Sequence, residues 1–130
     1  MEAKVIQKFS KYSVAQLRKK AQNVFNKWIR NRDEGKPCVK CGKYRKLQAG
    51  HFYPTSTHSH LRFNEDNVHG ECLHCNYFNS QSHSYGYRTE IELRIGKKAF
   101  NNLQLLAEHR KAHKFDRYTL IEIIQKYSSK

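Results

Sequence analysis

The residues of this chain best able to do chemistry are four cysteines set in two Cys-x2-Cys pairs, Cys38 with Cys41 and Cys72 with Cys75. Such pairs bring four thiolates to the corners of a tetrahedron around one metal. Four thiolates leave no open coordination position, so the site is structural rather than catalytic. Zinc is the expected ion and an iron–sulfur cluster the rival. Other groups stand between and beside the pairs. His51 follows Gly50, Asn67 and His69 precede the second pair, and Asn76 follows it directly. Hydrolysing a phosphodiester needs a base for water, a cation at the scissile phosphate and help for the leaving oxygen. Neutral imidazole supplies the base near pH 7, and an amide oxygen suits a hard ion such as Mg2+. Singly these residues say little, because a His or Asn in a chain with 8 histidines is more often a surface or turn residue.

Composition narrows the partner. The 130 residues hold 25 Lys and Arg against 11 Asp and Glu, a net charge of +14 and a pI near 9.8. A domain this basic is expected to meet a polyanion. Nucleic acid is favoured over a ribosome-associated role or a merely solvated surface. An anionic membrane fits less well, because the basic helices carry scattered polar residues and no lipid-facing aromatic belt. No apolar run approaches the ~20 residues of a membrane span, and Met-Glu-Ala-Lys does not open a signal peptide. The expectation is an intracellular protein with reduced thiols, which favours metal over disulfides. With 38% hydrophobic residues, the core should be thin, helped by the metal clip, in a single domain over residues 1–130.

The elements that must position these groups read as follows. Residues 1–12 have no clear period and are expected to form a loose arm. Val14, Leu17, Ala21, Val24, Phe25, Trp28 and Ile29 recur at helical spacing, with Ser13 as N-cap and Gly35 and Pro37 as the stop. This predicts a basic amphipathic helix over 13–34, with Arg18, Lys19, Lys20, Lys27 and Arg30 opposite the apolar stripe. Trp28 lies on the stripe, which makes it a core anchor rather than a base-stacking platform. Residues 38–63 read as a metal knuckle leading into a hairpin or extended loop, with His51 on or beside the first strand. Residues 55–60 read as a flexible loop and 64–67 as a turn, and a short helix near the second knuckle should carry Asn76. Thr89-Glu90-Ile91-Glu92 has the form of a capping box, Gly96 interrupts, and helices are expected over 97–113 and from Arg117, capped by Asp116. His74 should face solvent or a thiolate, and His83, His109 and His113 receive no role.

Order and spacing lift the weak single residues. Cys-x2-Cys, then His, then Asn-x4-Cys-x2-Cys-Asn resembles the HNH, or ββα-metal, endonucleases. The resemblance implies that His51 is the general base, that Asn67 holds the catalytic loop through backbone hydrogen bonds, and that Asn76 binds the catalytic metal. Cys72-x2-Cys75-Asn76 is also similar to the endonuclease VII type of junction-resolving enzyme, which pairs a four-cysteine zinc site with an Asn directly after the last Cys. A closer resemblance is to the NinG/Rap family of phage recombination proteins. It rests on Gln48-Ala49-Gly50-His51-Phe52, Leu61-Arg62-Phe63, Asn67-Val68-His69, Cys72-x2-Cys75-Asn76, Tyr87-Arg88 and the run from Ile91 to Gly96. With the basic helix before the first knuckle, it covers residues 14–127.

That resemblance implies a phage- or prophage-encoded, metal-dependent endodeoxyribonuclease selective for branched or Holliday-junction DNA. Structural Zn2+ and catalytic Mg2+ or Mn2+ would serve it, and two-fold cutting would need a homodimer. The implied fold is α+β: a zinc-clipped ββα-metal core over 38–80, flanked by the 13–34 helix and by C-terminal helices over 89–128. DNA contacts would fall to Arg62, Arg88, Lys19, Lys20, Lys27 and Arg30. Arg62 reads either as a phosphate clamp or as a packed surface residue. One departure matters: many HNH enzymes place a metal-binding Asp directly before the base, and here that residue is Gly50. Either His69, His58, His60 or another group completes the metal shell, or His51 itself is a ligand. His69 equally suits a hydrogen-bonding brace. The alternative function is a non-catalytic, zinc-stabilised DNA-binding accessory protein of recombination, and a third reading is an RNA-binding zinc ribbon.

Overall fold

The structure, a computed structural model, describes residues 1–78, 84–109 and 113–128, without the side chains of Phe78, Ser84 and Tyr85. His83, and the part of the expected 97–113 helix that covers 110–112, lie outside the described residues. The chain forms two compact units, Met1–Trp28 with Lys114–Lys130, and Ile29–His113.

The first unit is helical. Residues 3–8, expected to be a loose arm, form a short helix α1 (Ala3–Lys8). The helix buries no residue of its own, but Phe9 just beyond it is buried. The Arg117 guanidinium donates to the Phe9 carbonyl at 3.4 Å and to that of Tyr12. These contacts hold a segment whose sequence has no apolar period. Helix α2 (Val14–Arg32) opens on a reciprocal capping box. Ser13 Oγ accepts from Gln16 N at 3.1 Å and Gln16 Oε1 accepts from Ser13 N at 2.8 Å, which satisfies two donors left over at the helix start. Leu17, Ala21 and Phe25 of α2 are buried, as are Leu120, Ile121, Ile124 and Tyr127 of α5 (Arg117–Ser128). Trp28 packs edge-on against Tyr127 at 5.2 Å, as its place on the apolar stripe implies. Asp116 Oδ1 accepts from Thr119 N at 2.8 Å and caps α5.

The second unit is the α+β part. Strands β1 (Leu47–His51) and β2 (Val68–Cys72) form a two-stranded antiparallel sheet, with Gln48 opposite Glu71, Gly50 opposite His69 and His51 opposite Val68. The segment expected to be a flexible loop is a hydrogen-bonded turn. Thr57 N and His58 N donate to the Pro54 carbonyl, and a short 3-10 turn at Ser59–Leu61 buries Leu61. After β2 the chain runs directly into a π-helical turn, His74–Phe78, which carries Asn76.

Two helices complete the unit, α3 (Ser84–Ile95) and α4 (Lys97–Glu108), separated at Gly96. The expected capping box at Thr89 lies inside α3, which begins five residues earlier. A Cβ at Gly86, in the first turn, would lie 3.1 Å from the Lys40 carbonyl oxygen, a tight contact, so the helix passes close to the first knuckle where it carries no side chain. Tyr87, Ile91, Phe100, Leu103 and Ala107 bury themselves with Val39 and Leu61, and Phe52, Tyr53 and Ile95 pack around them. A unit of this size with so few strands needs that cluster, because an isolated hairpin is only marginally stable in water.

Candidate active site

The site is built from the cysteines outward. Cys38, Cys72 and Cys75 are buried and Cys41 is half-buried, and the four sulfurs lie within 4.8 Å of one another. Cys41 Sγ and Cys72 Sγ are 3.9 Å apart. A tetrahedron with ~2.3 Å metal–sulfur bonds has edges of about 3.8 Å, so the sulfurs fit a Zn2+ ion. Burial and the neighbouring thiols push the Cys75 thiol up, and burial pushes Cys38 up. Four sulfurs this close hold their negative charge only with a cation among them. The backbone supports the cradle. Cys72 N donates to Cys38 Sγ at 3.3 Å, and Val39 N docks the first knuckle onto β2 through the Gly70 carbonyl at 3.0 Å.

Beside the cradle is a cleft of about 350 Å³ lined by Lys40, His51, Phe52, Pro54, Thr55, Glu71, Asn76 and Tyr87. His51 and Asn76 thus share one cavity although 25 positions separate them. His51 Nε2 lies 3.0 Å from the Arg62 carbonyl oxygen. A carbonyl only accepts, so Nε2 carries the proton and the lone pair is on Nδ1. Burial holds the imidazole below its ordinary pKa, against the raising effect of that hydrogen bond, so the ring is a neutral base at pH 7. Asn76 donates from Nδ2 to Gln48 Oε1 at 3.0 Å, a bond that uses the nitrogen rather than the ligand-capable oxygen. The Tyr87 hydroxyl, fully buried, donates to the Gly50 carbonyl at 2.7 Å and fixes the backbone just before His51.

Asn67 is buried and occupied with main chain. Its Oδ1 accepts from Tyr53 N at 2.8 Å, and its Nδ2 donates to the Tyr53 and Leu61 carbonyls, both at 3.1 Å. These bonds close the loop between the strands, the loop whose Arg62 carbonyl holds His51. His69 is buried with both ring nitrogens engaged. Nε2 donates to the Asp66 carbonyl at 2.8 Å and Nδ1 accepts from Arg32 Nη2 at 3.4 Å. Burial pushes its pKa down to about 4. His58 packs at a tilt against the Tyr53 ring at 4.9 Å, and His60 Nε2 bonds the Leu106 carbonyl at 2.7 Å. None of these three histidines lines the cleft.

The sequence reading missed three parts of this region. Glu71 is buried on β2, and its Oε2 is 3.0 Å from Lys40 Nζ, at ion-pair distance but without an aligned hydrogen bond. Burial raises its carboxyl pKa, and Lys40 opposes the rise. A lone Glu between Gly70 and Cys72 in a core strand was the available signal. Next, Asp33, fully buried, accepts two bonds from Arg32 at 2.8 and 3.0 Å and one from Gly70 N at 2.8 Å. Arg32 in turn donates to the Glu65 and Val68 carbonyls, so the end of α2 is tied to β2. Last, a groove of about 630 Å³ in the same unit is lined by Arg30, Lys36, Arg45 and Lys46 around the exposed Tyr44. Among the expected DNA contacts, Lys19, Lys20, Lys27, Arg30 and Arg88 are exposed, Arg88 lying over the Phe100 ring at 5.4 Å. Arg62 is half-buried, and no described helix is long and apolar enough to cross a membrane.

Fold and site define an α+β protein with a small two-stranded sheet, a four-cysteine metal cradle and a His- and Asn-lined cleft beside it. The chain belongs to the NinG family, described as bacteriophage lambda NinG protein, whose pattern matches residues 2–130. Protein ninG of Escherichia phage lambda is 40% identical over 88 residues, 66% of this chain and 43% of that protein. The ninG proteins of Escherichia phage 933W and Salmonella phage P22 are 39% and 38% identical over the same shares. The chain spans less than half the length of these curated relatives. No solved structure matches it.

Proposed function

We propose that this chain is a metal-dependent DNA endonuclease of the HNH type, selective for branched DNA such as a Holliday junction. The observation that carries the reading is the pairing in one cleft of a neutral His51, its Nδ1 lone pair free of the Arg62 bond, with Asn76 on the turn after the zinc cradle. In this account His51 Nδ1 takes a proton from the attacking water. Arg62 holds the ring through its carbonyl, and Asn67 and Tyr87 hold the backbone that presents it. Asn76 Oδ1 would hold Mg2+ or Mn2+, which when bound stabilises charge on the scissile phosphate and the leaving oxygen. His69, with both nitrogens engaged, serves as a brace rather than a ligand. The basic side chains, including the groove around Tyr44, grip phosphates.

The second reading is a non-catalytic, zinc-stabilised DNA-binding accessory protein of recombination. It is favoured by Gly50, which puts no carboxylate before the base. Incubation of the zinc-loaded protein with a four-way junction and with a linear duplex of the same sequence, each with Mg2+ and with Mn2+, separates the two. Cuts near the branch point, absent from the duplex, support the endonuclease. Junction binding without cuts in either metal supports the accessory role, and equal cutting of both DNAs removes the branch preference.

A further inference from the structure

Gly50 is the residue that departs from the HNH pattern, and the space a side chain would take there is already filled. A Cβ built on Gly50 would lie 1.7 Å from Glu71 Oε1 and 2.3 Å from its carboxyl carbon. A carboxylate therefore lies where a side chain from position 50 would begin, but it arrives from the opposite strand. The register allows this, because Glu71 and Gly50 are two positions apart along the paired strands. Glu71 is 1% exposed and is among the residues lining the cleft with His51 and Asn76, and its Oε2 is buried without an aligned hydrogen bond. A buried carboxylate keeps its charge more readily with a cation beside it. Here that cation is Lys40, whose side chain is 6% exposed and whose Nζ is 3.0 Å away.

We propose that the Glu71 carboxylate is the ligand for the catalytic divalent cation that position 50 does not provide, and that the Lys40 ammonium holds its place until the cation binds. This rests on the endonuclease reading for the purpose of the cation, though not for its binding. The donor set suits Mg2+ or Mn2+. One carboxylate and one amide oxygen, from Asn76, leave the remaining positions to water and phosphate, the composition these ions take at phosphoryl sites. Lys40 competes with the cation for the same oxygen, so cation affinity is set by both residues.

The test is Mn2+ affinity, read from the spin-resonance signal of free Mn2+ on zinc-loaded protein, with zinc content and melting temperature measured alongside. Glu71→Gln keeps the volume and removes the charge. It should weaken Mn2+ binding by at least the about 10–100-fold that loss of a mere outer-shell partner costs, with zinc content unchanged. Lys40→Met should tighten binding. Gly50→Asp combined with Glu71→Ala returns the carboxylate to β1 and should restore affinity, which decides the matter if Glu71→Gln does not fold. Parent-like binding by Glu71→Gln, no Mn2+ site in the parent, or no recovery in the double variant overturns the proposal. Unchanged or weaker binding by Lys40→Met overturns the place-holding role. Glu71-dependent Mn2+ binding in a protein that cuts no DNA upholds this proposal and defeats the endonuclease reading. Cleavage and Mn2+ binding both indifferent to Glu71→Gln do the reverse.

Discussion

Asn67 commits both ends of its amide to main chain, and those bonds connect a buried side chain to the hydrogen bond that holds the His51 ring. The Tyr53 and Leu61 backbone groups it satisfies frame the loop that delivers the Arg62 carbonyl to His51 Nε2. Asn67→Ala leaves Tyr53 N and the Tyr53 carbonyl without these partners, while the Leu61 carbonyl keeps Asn64 N at 3.3 Å. It should destabilise the fold by on the order of 3 kcal/mol, since each orphaned buried group costs about 1–3 kcal/mol. Chemical denaturation checks the figure, and a loss below about 0.5 kcal/mol, the spread of ordinary surface substitutions, would remove Asn67 from this role. At this scale the sequence was legible in the spacing of the cysteines and, for His51 and Asn76, through the HNH resemblance. Cys38, Cys41, Cys72 and Cys75 converge, and His51 and Asn76 share a cleft. Glu71 and Lys40 were not legible, because their meeting depends on which residue of β1 pairs with which of β2, and a one-residue slip would have turned Glu71 to the other face.

At the scale of elements, two ties hold the sheet in place: the Arg32–Asp33 pair at the end of α2 and the cysteine cradle at the end of β2. The Asp33 carboxyl is held below its ordinary 3.8: burial pushes it up, but the bonds from Arg32 and Gly70 outweigh that. A depressed folded-state value means that the unfolded chain binds the proton more readily. The stability this group contributes is therefore complete above 3.8 and is lost as the pH falls through the lower folded-state value. Asp33→Asn should cost about 3 kcal/mol at pH 7, the low end for a buried pair because Arg32 is 25% exposed. The gap to the parent should narrow below pH 3.8, and a gap that is constant or widens in acid would contradict the assignment.

Zinc removal should act on the same sheet. Cys72→Ser, or a strong chelator, should lower the melting temperature sharply, because the ligands join segments with 30 residues between them. A parent-like melt with zinc absent would show the cradle to be dispensable. Helices α2, α4 and α5 were legible from period and caps. Helix α1 was not, since Phe9 is buried through tertiary contacts that no local pattern announces.

For the whole molecule the charge of +14 sets the terms of any encounter with DNA. Affinity should fall steeply with added salt, because each phosphate neutralised releases counterions. Replacing Arg45 and Lys46 together with Ala should lower that slope, as titrations across a salt series would show, and an unchanged slope would exclude the groove around Tyr44 from the contact. The proposed nuclease activity turns on His51 as the base. The direct measurement is the single-turnover rate of junction cleavage by His51→Ala beside the parent, at protein concentrations that saturate both and with zinc content matched. With His51 as the base, His51→Ala should bind the junction as the parent does and cut it about 10²–10⁴-fold more slowly at every concentration of Mn2+, as loss of a general base requires. A parent-like rate in His51→Ala would contradict it, and recovery in high Mn2+ would make His51 a metal ligand instead.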